Sequence, residues 1–198
     1  MEHLTYYKCH NCNMVISSML WSIDENNGFC CPNCLKVGSG TTWPKEQIRQ
    51  LFSSIINLNS EIIEYSQVAC VLYVAAVRSM IEDLVRTIAL GDLLYEEAGH
   101  LIDTMISLNS GHEKLLRLLE ELSSDCFSYL IDDSVEDAFY PTFLRLTKIR
   151  DHLIYGHDYQ PQELDPDYLQ SIIEKTILLF SELNNEFHPQ IEYRRIEG

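Results

Sequence analysis

Two cysteine pairs near the N-terminus constrain this chain more than any other feature. Cys9-His10-Asn11-Cys12 and Cys31-Pro32-Asn33-Cys34 each hold two thiols at C-x2-C spacing, and eighteen residues lie between them. Such a turn is a tight knuckle that aims two thiolates at one point, and two knuckles complete a closed tetrahedral zinc site. Between the pairs, residues 14–21 are strand-like, 24–28 form a turn, and Phe29-Cys30 begins a return strand. A piece of roughly 35 residues buries too little core to fold alone, so bound metal supplies folding free energy. Residues 1–40 therefore read as a zinc ribbon with ligands Cys9, Cys12, Cys31 and Cys34. Four cysteines leave no open coordination position, which makes the zinc structural. Cys30 could replace Cys31 as a ligand, but the spacing favours Cys31, and His10 reads as a knuckle side chain facing solvent.

Charge and composition narrow the functional classes. Fourteen Lys and Arg oppose thirty Asp and Glu, for a formal net charge of -16. Tracking along a nucleic acid needs a broad basic surface, which this balance argues against, whereas one local phosphate site is compatible with it. Five of the seven cysteines lie in 9–34, a clustering that points to metal rather than to disulfides. No apolar run approaches the ~18 residues of a membrane span, and the first residues carry no secretory pattern. A cytoplasmic protein with no membrane partner is the expectation.

Residues 38–42, Gly-Ser-Gly-Thr-Thr, read as a flexible connector, and from Pro44 onward the periodicity is helical. Helices are expected over 44–64, 67–90, 93–108 and 112–122. Another restarts at Pro141 and leads to Arg150, with Gly156 as its stop, and a last one spans 167–187. His188-Pro189 should end that helix, leaving 191–198 as a mobile tail. The apolar run 68–77 marks a central helix covered on most sides. Cys70 within it, and Cys126, read as small core residues. The fold class is mainly α, a helical domain over 44–190 preceded by a small β module.

The stretch 150–159, Arg-Asp-His-Leu-Ile-Tyr-Gly-His-Asp-Tyr, concentrates groups that can hold a phosphate or move a proton. Residues 142–157 carry Arg145, Lys148 and Arg150 against Asp151 alone, a basic island in an acidic chain. A neutral imidazole can take a ribose 2′-hydroxyl proton, and a guanidinium can hold charge on the non-bridging phosphate oxygens. Asp151 could orient the arginine or a histidine. Arg150 and His157 would stand ~10.5 Å apart along a straight helix. Either His157 folds back, or a two-fold dimer sets one chain's arginine beside the other's histidine. The plainer reading is that Arg150 pairs with a nearby acid and His157 caps the helix. His3, His100, His112 and His188 read as ordinary histidines.

The helical layout and the spacing from Arg150 to His157 resemble the HEPN superfamily, marked by R-x(4–6)-H near the end of a late helix. Arg78-Ser79-Met80-Ile81-Glu82 resembles that family's early core helix. His157-Asp158-Tyr159 resembles the H-x-Y ending of HEPN toxins paired with minimal nucleotidyltransferase antitoxins. The resemblance implies a HEPN-like helical bundle and a homodimeric, metal-independent endoribonuclease acting as a toxin or defence effector. Arg150, His157 and Asp151 would be its catalytic residues and RNA its substrate. It also implies Tyr159 as a regulatory position to which a nucleotidyltransferase antitoxin attaches nucleotide. The alternative is a non-catalytic HEPN-like module that binds a protein or ligand. The commonest family form places histidine where this chain has Tyr155.

Overall fold

A computed structural model describes residues 5–23, 29–58, 65–92, 98–123, 139–155 and 165–196. The protein is mainly helical, with a small antiparallel sheet at its N-terminal end. The strands are β1 (Tyr6–Cys9), β2 (Val15–Ser17), β3 (Ser22–Ile23), β4 (Phe29–Cys30) and β5 (Gly40–Trp43). β1 is the centre of a three-stranded sheet ordered β2-β1-β5, and β3 pairs with β4. The expected connector at 38–42 is thus partly strand. Thr41, Thr42 and Trp43 are strand-favouring residues, and their backbone pairs with β1 in the register Tyr7↔Thr42 and Lys8↔Thr41. Gly40 suits a close approach: a Cβ there would lie 3.1 Å from the Lys8 carbonyl oxygen and 3.2 Å from the Trp21 ring, tight enough that a neighbour would have to shift.

The helices are α1 (Glu46–Ile56), α2 (Tyr65–Asp92), α3 (Ala98–Leu108), α4 (His112–Ser123), α5 (Phe139–Tyr155) and α6 (Pro166–Ile196). α1 buries Ile48, Phe52 and Ile55, one face at helical spacing, against α2. α2 is the axis of the bundle and, among the described residues, touches each of the other five helices. Ala69, Cys70, Tyr73, Val74, Ala76 and Val77 are wholly buried along it, while Val68 and Val71 reach solvent. Burial raises the Cys70 thiol to about 12, as befits a core residue. The buried Tyr73 hydroxyl meets Thr176 Oγ1 on α6 at 2.8 Å, and Thr176 in turn donates to the Ile172 carbonyl at 2.8 Å. A polar group inside the core is thereby satisfied.

Asp165 caps α6, its Oδ1 accepting from the Asp167 amide at 3.3 Å. The helix does not stop at His188-Pro189 but runs on to Ile196, so most of the expected mobile tail is helical. A proline inside a helix forfeits one main-chain hydrogen bond and crowds the carbonyl four residues back, yet the bonds on either side can persist. The N-terminal β module docks on this helix through two consecutive asparagines. Asn185 Oδ1 accepts from the Val15 amide at 2.7 Å while its Nδ2 donates to the Val15 carbonyl at 2.8 Å. One side-chain amide thus does for the outer edge of β2 what a neighbouring strand would do. Beside it Asn184 Oδ1 accepts from Lys8 Nζ at 3.2 Å. Among the described residues, no helix is long and apolar enough to cross a membrane.

Candidate functional sites: a four-cysteine centre and an arginine–histidine cleft

The sulfurs of Cys9, Cys12, Cys31 and Cys34 lie within 4.8 Å of one another and can hold a metal ion. Tetrahedral thiolate coordination at ~2.3 Å sets sulfurs ~3.8 Å apart. The Cys9–Cys34 and Cys12–Cys31 pairs stand at 3.9 and 3.7 Å, too long for disulfides and right for a shared ion. Cys30 stays in β4, outside the cluster. His10 is exposed, with Nδ1 against Ser39 Oγ at 2.8 Å.

The two knuckles match bond for bond. The Asn13 amide donates to the Cys9 carbonyl at 2.8 Å, and the Leu35 amide to the Cys31 carbonyl at 2.9 Å. The Cys9 amide donates to the Met14 carbonyl at 2.9 Å, and the Cys31 amide to the Lys36 carbonyl at 3.2 Å. Asn13 and Leu35 both adopt φ 55°, the left-handed turn that closes each knuckle. Further donors face the sulfurs: the Asn11 amide reaches Cys9 Sγ at 3.4 Å and Asn33 Nδ2 reaches Cys12 Sγ at 3.6 Å. Burial opposes ionisation of Cys9, but the Cys12 and Asn11 amides and the neighbouring thiols outweigh it and bring the thiol down to about 7. At Cys12 and Cys31 burial outweighs the donors: it raises the Cys12 thiol and pushes Cys31 up to about 12, so a bound ion would itself have to displace those protons.

The second site lies where α4 starts and α5 ends. Arg150 and Asp151 line a cleft of about 640 Å³. Arg150 Nε donates to Asp151 Oδ1 at 2.9 Å, and Nη2 contacts the same oxygen. Arg150 Nη1 donates to Nε2 of His112, the first residue of α4. A guanidinium has no acceptor, so Nε2 accepts and the neutral ring carries its proton on Nδ1. Burial, followed by the charges of Arg150 and Arg78, lowers His112 to about 4 against the opposing pull of Asp151. The imidazole packs edge-on to Phe143, with ring centres 5.8 Å apart.

The basic island divides. Lys148 and Arg150 line the cleft, joined by Arg78 from α2 and Lys114 from α4, with Glu113 and Asp151 as the lining acids. Arg145 turns instead toward α6, donating to Tyr168 Oη at 2.8 Å with its guanidinium 5.5 Å from the ring centre. Tyr155 is exposed at the rim. His157, Tyr159, Gly156 and Cys126 lie outside the described residues.

In the sequence alone His112 reads as an ordinary histidine. Its contact with Arg150 spans 38 residues and depends on how α4 meets α5. The one local signal was its place at a helix start just after Gly111. Compared with known proteins, the chain matches no family model, no curated protein and no solved structure at a significant level.

Proposed function

We propose that this protein is a HEPN-type, metal-independent endoribonuclease, a toxin or defence effector whose N-terminal module is a zinc ribbon. The observation that carries the reading is the Arg150 cleft, a cation-rich hollow with a neutral imidazole in an otherwise acidic chain. Of five guanidinium N–H groups, three are taken up by Asp151 and His112. Two remain for the non-bridging oxygens of a phosphodiester.

In this reading His157, seven residues beyond Arg150, is the general base, contributed by the same chain or by a second copy across a dimer cleft. It takes the proton of a ribose 2′-hydroxyl, and that oxygen attacks the adjacent phosphorus. The bond to the 5′-oxygen breaks, and the departing oxygen takes up a proton, leaving a 2′,3′-cyclic phosphate and a 5′-hydroxyl. Arg150 stabilises the charge on the phosphorane and Asp151 holds the guanidinium in place. Tyr159 is the position at which a nucleotidyltransferase antitoxin would silence the enzyme.

Zinc suits the four-thiolate centre because it accepts tetrahedral sulfur ligation without redox chemistry, and a closed site of this kind is structural. Elemental analysis should find one zinc per chain, and iron in its place would refute that identity. The ribonuclease reading is tested with purified wild type, Arg150→Ala and His157→Ala on unstructured RNA. Loss of two or more orders of magnitude in cleavage rate is expected for either variant. Equal cleavage by all three would rule it out.

The engagement of Arg150 by Asp151 and His112 also favours a second reading, a non-catalytic module in which the arginine braces the α4–α5 junction. An inactive wild type that co-purifies with a stoichiometric protein partner would favour that one.

A further inference from the structure

Where the ribbon meets the helices lies a second cavity, of about 340 Å³, bounded by β1, β5, α1, α2 and α6. Its body is apolar, with Trp43, Ile48, Met80, Leu84 and Phe180 among the residues that line it. Its charge is not balanced: Lys8, Lys45 and Arg86 face a single carboxylate, Asp83. Two of the cations are already matched, Lys45 by Asp83 at 2.5 Å and Arg86 by Asp103. Lys8 is not. It is half-buried, and its hydrogen bond goes to the neutral amide oxygen of the buried Asn184, 3.2 Å away. Among the described residues no carboxylate pairs with it. Asp83 attracts the Lys8 ammonium from a distance but is already engaged by Lys45. Holding an ammonium half out of water without a paired carboxylate is costly, and an apolar hollow beside it is costly too. One ligand type relieves both.

We propose that the seam between ribbon and helices binds a small organic monocarboxylate, its apolar body in the cavity and its carboxylate on the Lys8 ammonium. At ~30 Å³ per water-sized group, such a volume takes about ten non-hydrogen atoms, within the range of small-ligand pockets. One unmatched cation suits a monoanion. Because the walls come from the sheet and from three helices, an occupant would tie the ribbon to the bundle in addition to Asn184 and Asn185.

The test uses the full chain with its metal and octanoate as the probe, followed by calorimetry and by the fluorescence of Trp43 in the cavity wall. Octanoate should saturate one site per chain and bind at least tenfold more tightly than 1-octanol, which has the same body without the charge. Lys8→Met should bring octanoate to the level of the alcohol. Leu84→Trp, on the α2 wall, should fill the cavity and abolish binding of both while the melting temperature and helical signal persist. The proposal is overturned by absence of saturable octanoate binding, by equal affinity for acid and alcohol, or by a Leu84→Trp variant that binds as wild type does. The Leu84→Trp result holds even where Lys8→Met loosens the ribbon.

Discussion

The four-cysteine centre and the Arg150 cleft are built on opposite principles. In the ribbon the chemistry is local: each knuckle closes within six residues through the same two main-chain bonds, and only its meeting with the other knuckle is long-range. In the cleft, Arg150 and Asp151 are neighbours, but the imidazole that completes their arrangement comes from α4, and further cations come from α2 (Arg78) and α4 (Lys114). A locally encoded site survives changes elsewhere as long as its ligand remains bound. A site assembled from three helices depends on the packing of the whole bundle. The two halves of the molecule should therefore fail separately.

The largest effect should come from removing the proposed zinc. Structural zinc contributes on the order of 10 kcal/mol to small domains of this kind. Chelation, or Cys31→Ser, should collapse the amide dispersion of the ribbon while most of the helical circular dichroism remains. A ribbon whose amides stay dispersed after metal removal would break the contrast between the two sites. The next effect tests the dock. Asn185→Leu strands the amide and carbonyl of Val15, two main-chain groups that both need partners. A loss of about 2 kcal/mol in urea unfolding is expected, less than the full penalty because the strand edge can recruit water. Protease cutting should rise in the ribbon and not in α2. Asn185→Asp, which keeps the acceptor and loses the donor, should fall between the two.

These contrasts account for what could be read in advance. The ligand set was legible because C-x2-C spacing is itself the geometry, and the preference for Cys31 over Cys30 followed from it. The central place of α2 was legible in the run 68–77, since few other arrangements cover so much apolar surface. The strand β5 was not: Gly-Ser-Gly reads as linker, and only pairing with β1 makes Thr41-Thr42-Trp43 a strand. The continuation of α6 through Pro189 ran against the strongest local stop signal available. His112 was barely legible, because its place at a helix start says nothing of the arginine 38 residues away that only tertiary packing brings to it.

The cleft makes its own prediction through that histidine. His112 is lowered from an ordinary value of ~6.5 to about 4 by burial and by Arg150 and Arg78. Below pH ~6.5 the unfolded chain protonates this ring while the folded protein does not. Its contribution to stability is therefore complete above that pH and is lost as the pH falls toward about 4. The ring is only half-buried, and solvent screening reduces the effect to about 1 kcal/mol. His112→Gln keeps an acceptor for Arg150 but does not titrate, so the stability difference between pH 7 and pH 5 should shrink relative to wild type. An unchanged pH dependence would mean that burial and the neighbouring arginines do not hold the ring neutral.

The smallest effect addresses the equivalence of the two knuckles. Both close with a residue at φ 55°, Asn13 in the first and Leu35 in the second. Asparagine tolerates the left-handed region because its short polar side chain can bond locally, whereas a branched apolar residue there costs ~1–2 kcal/mol. Leu35 is 76% exposed, so its side chain gives back little by packing. Leu35→Asn should then raise the stability of the metal-bound protein by about 0.5–1 kcal/mol, and Asn13→Leu should lower it by a similar amount. Opposite shifts of like size would make the knuckles interchangeable local units. If Leu35→Asn were neutral or destabilising, the exposed leucine would be held in the left-handed turn by something other than the knuckle, and the ribbon would be less local than its bonds imply.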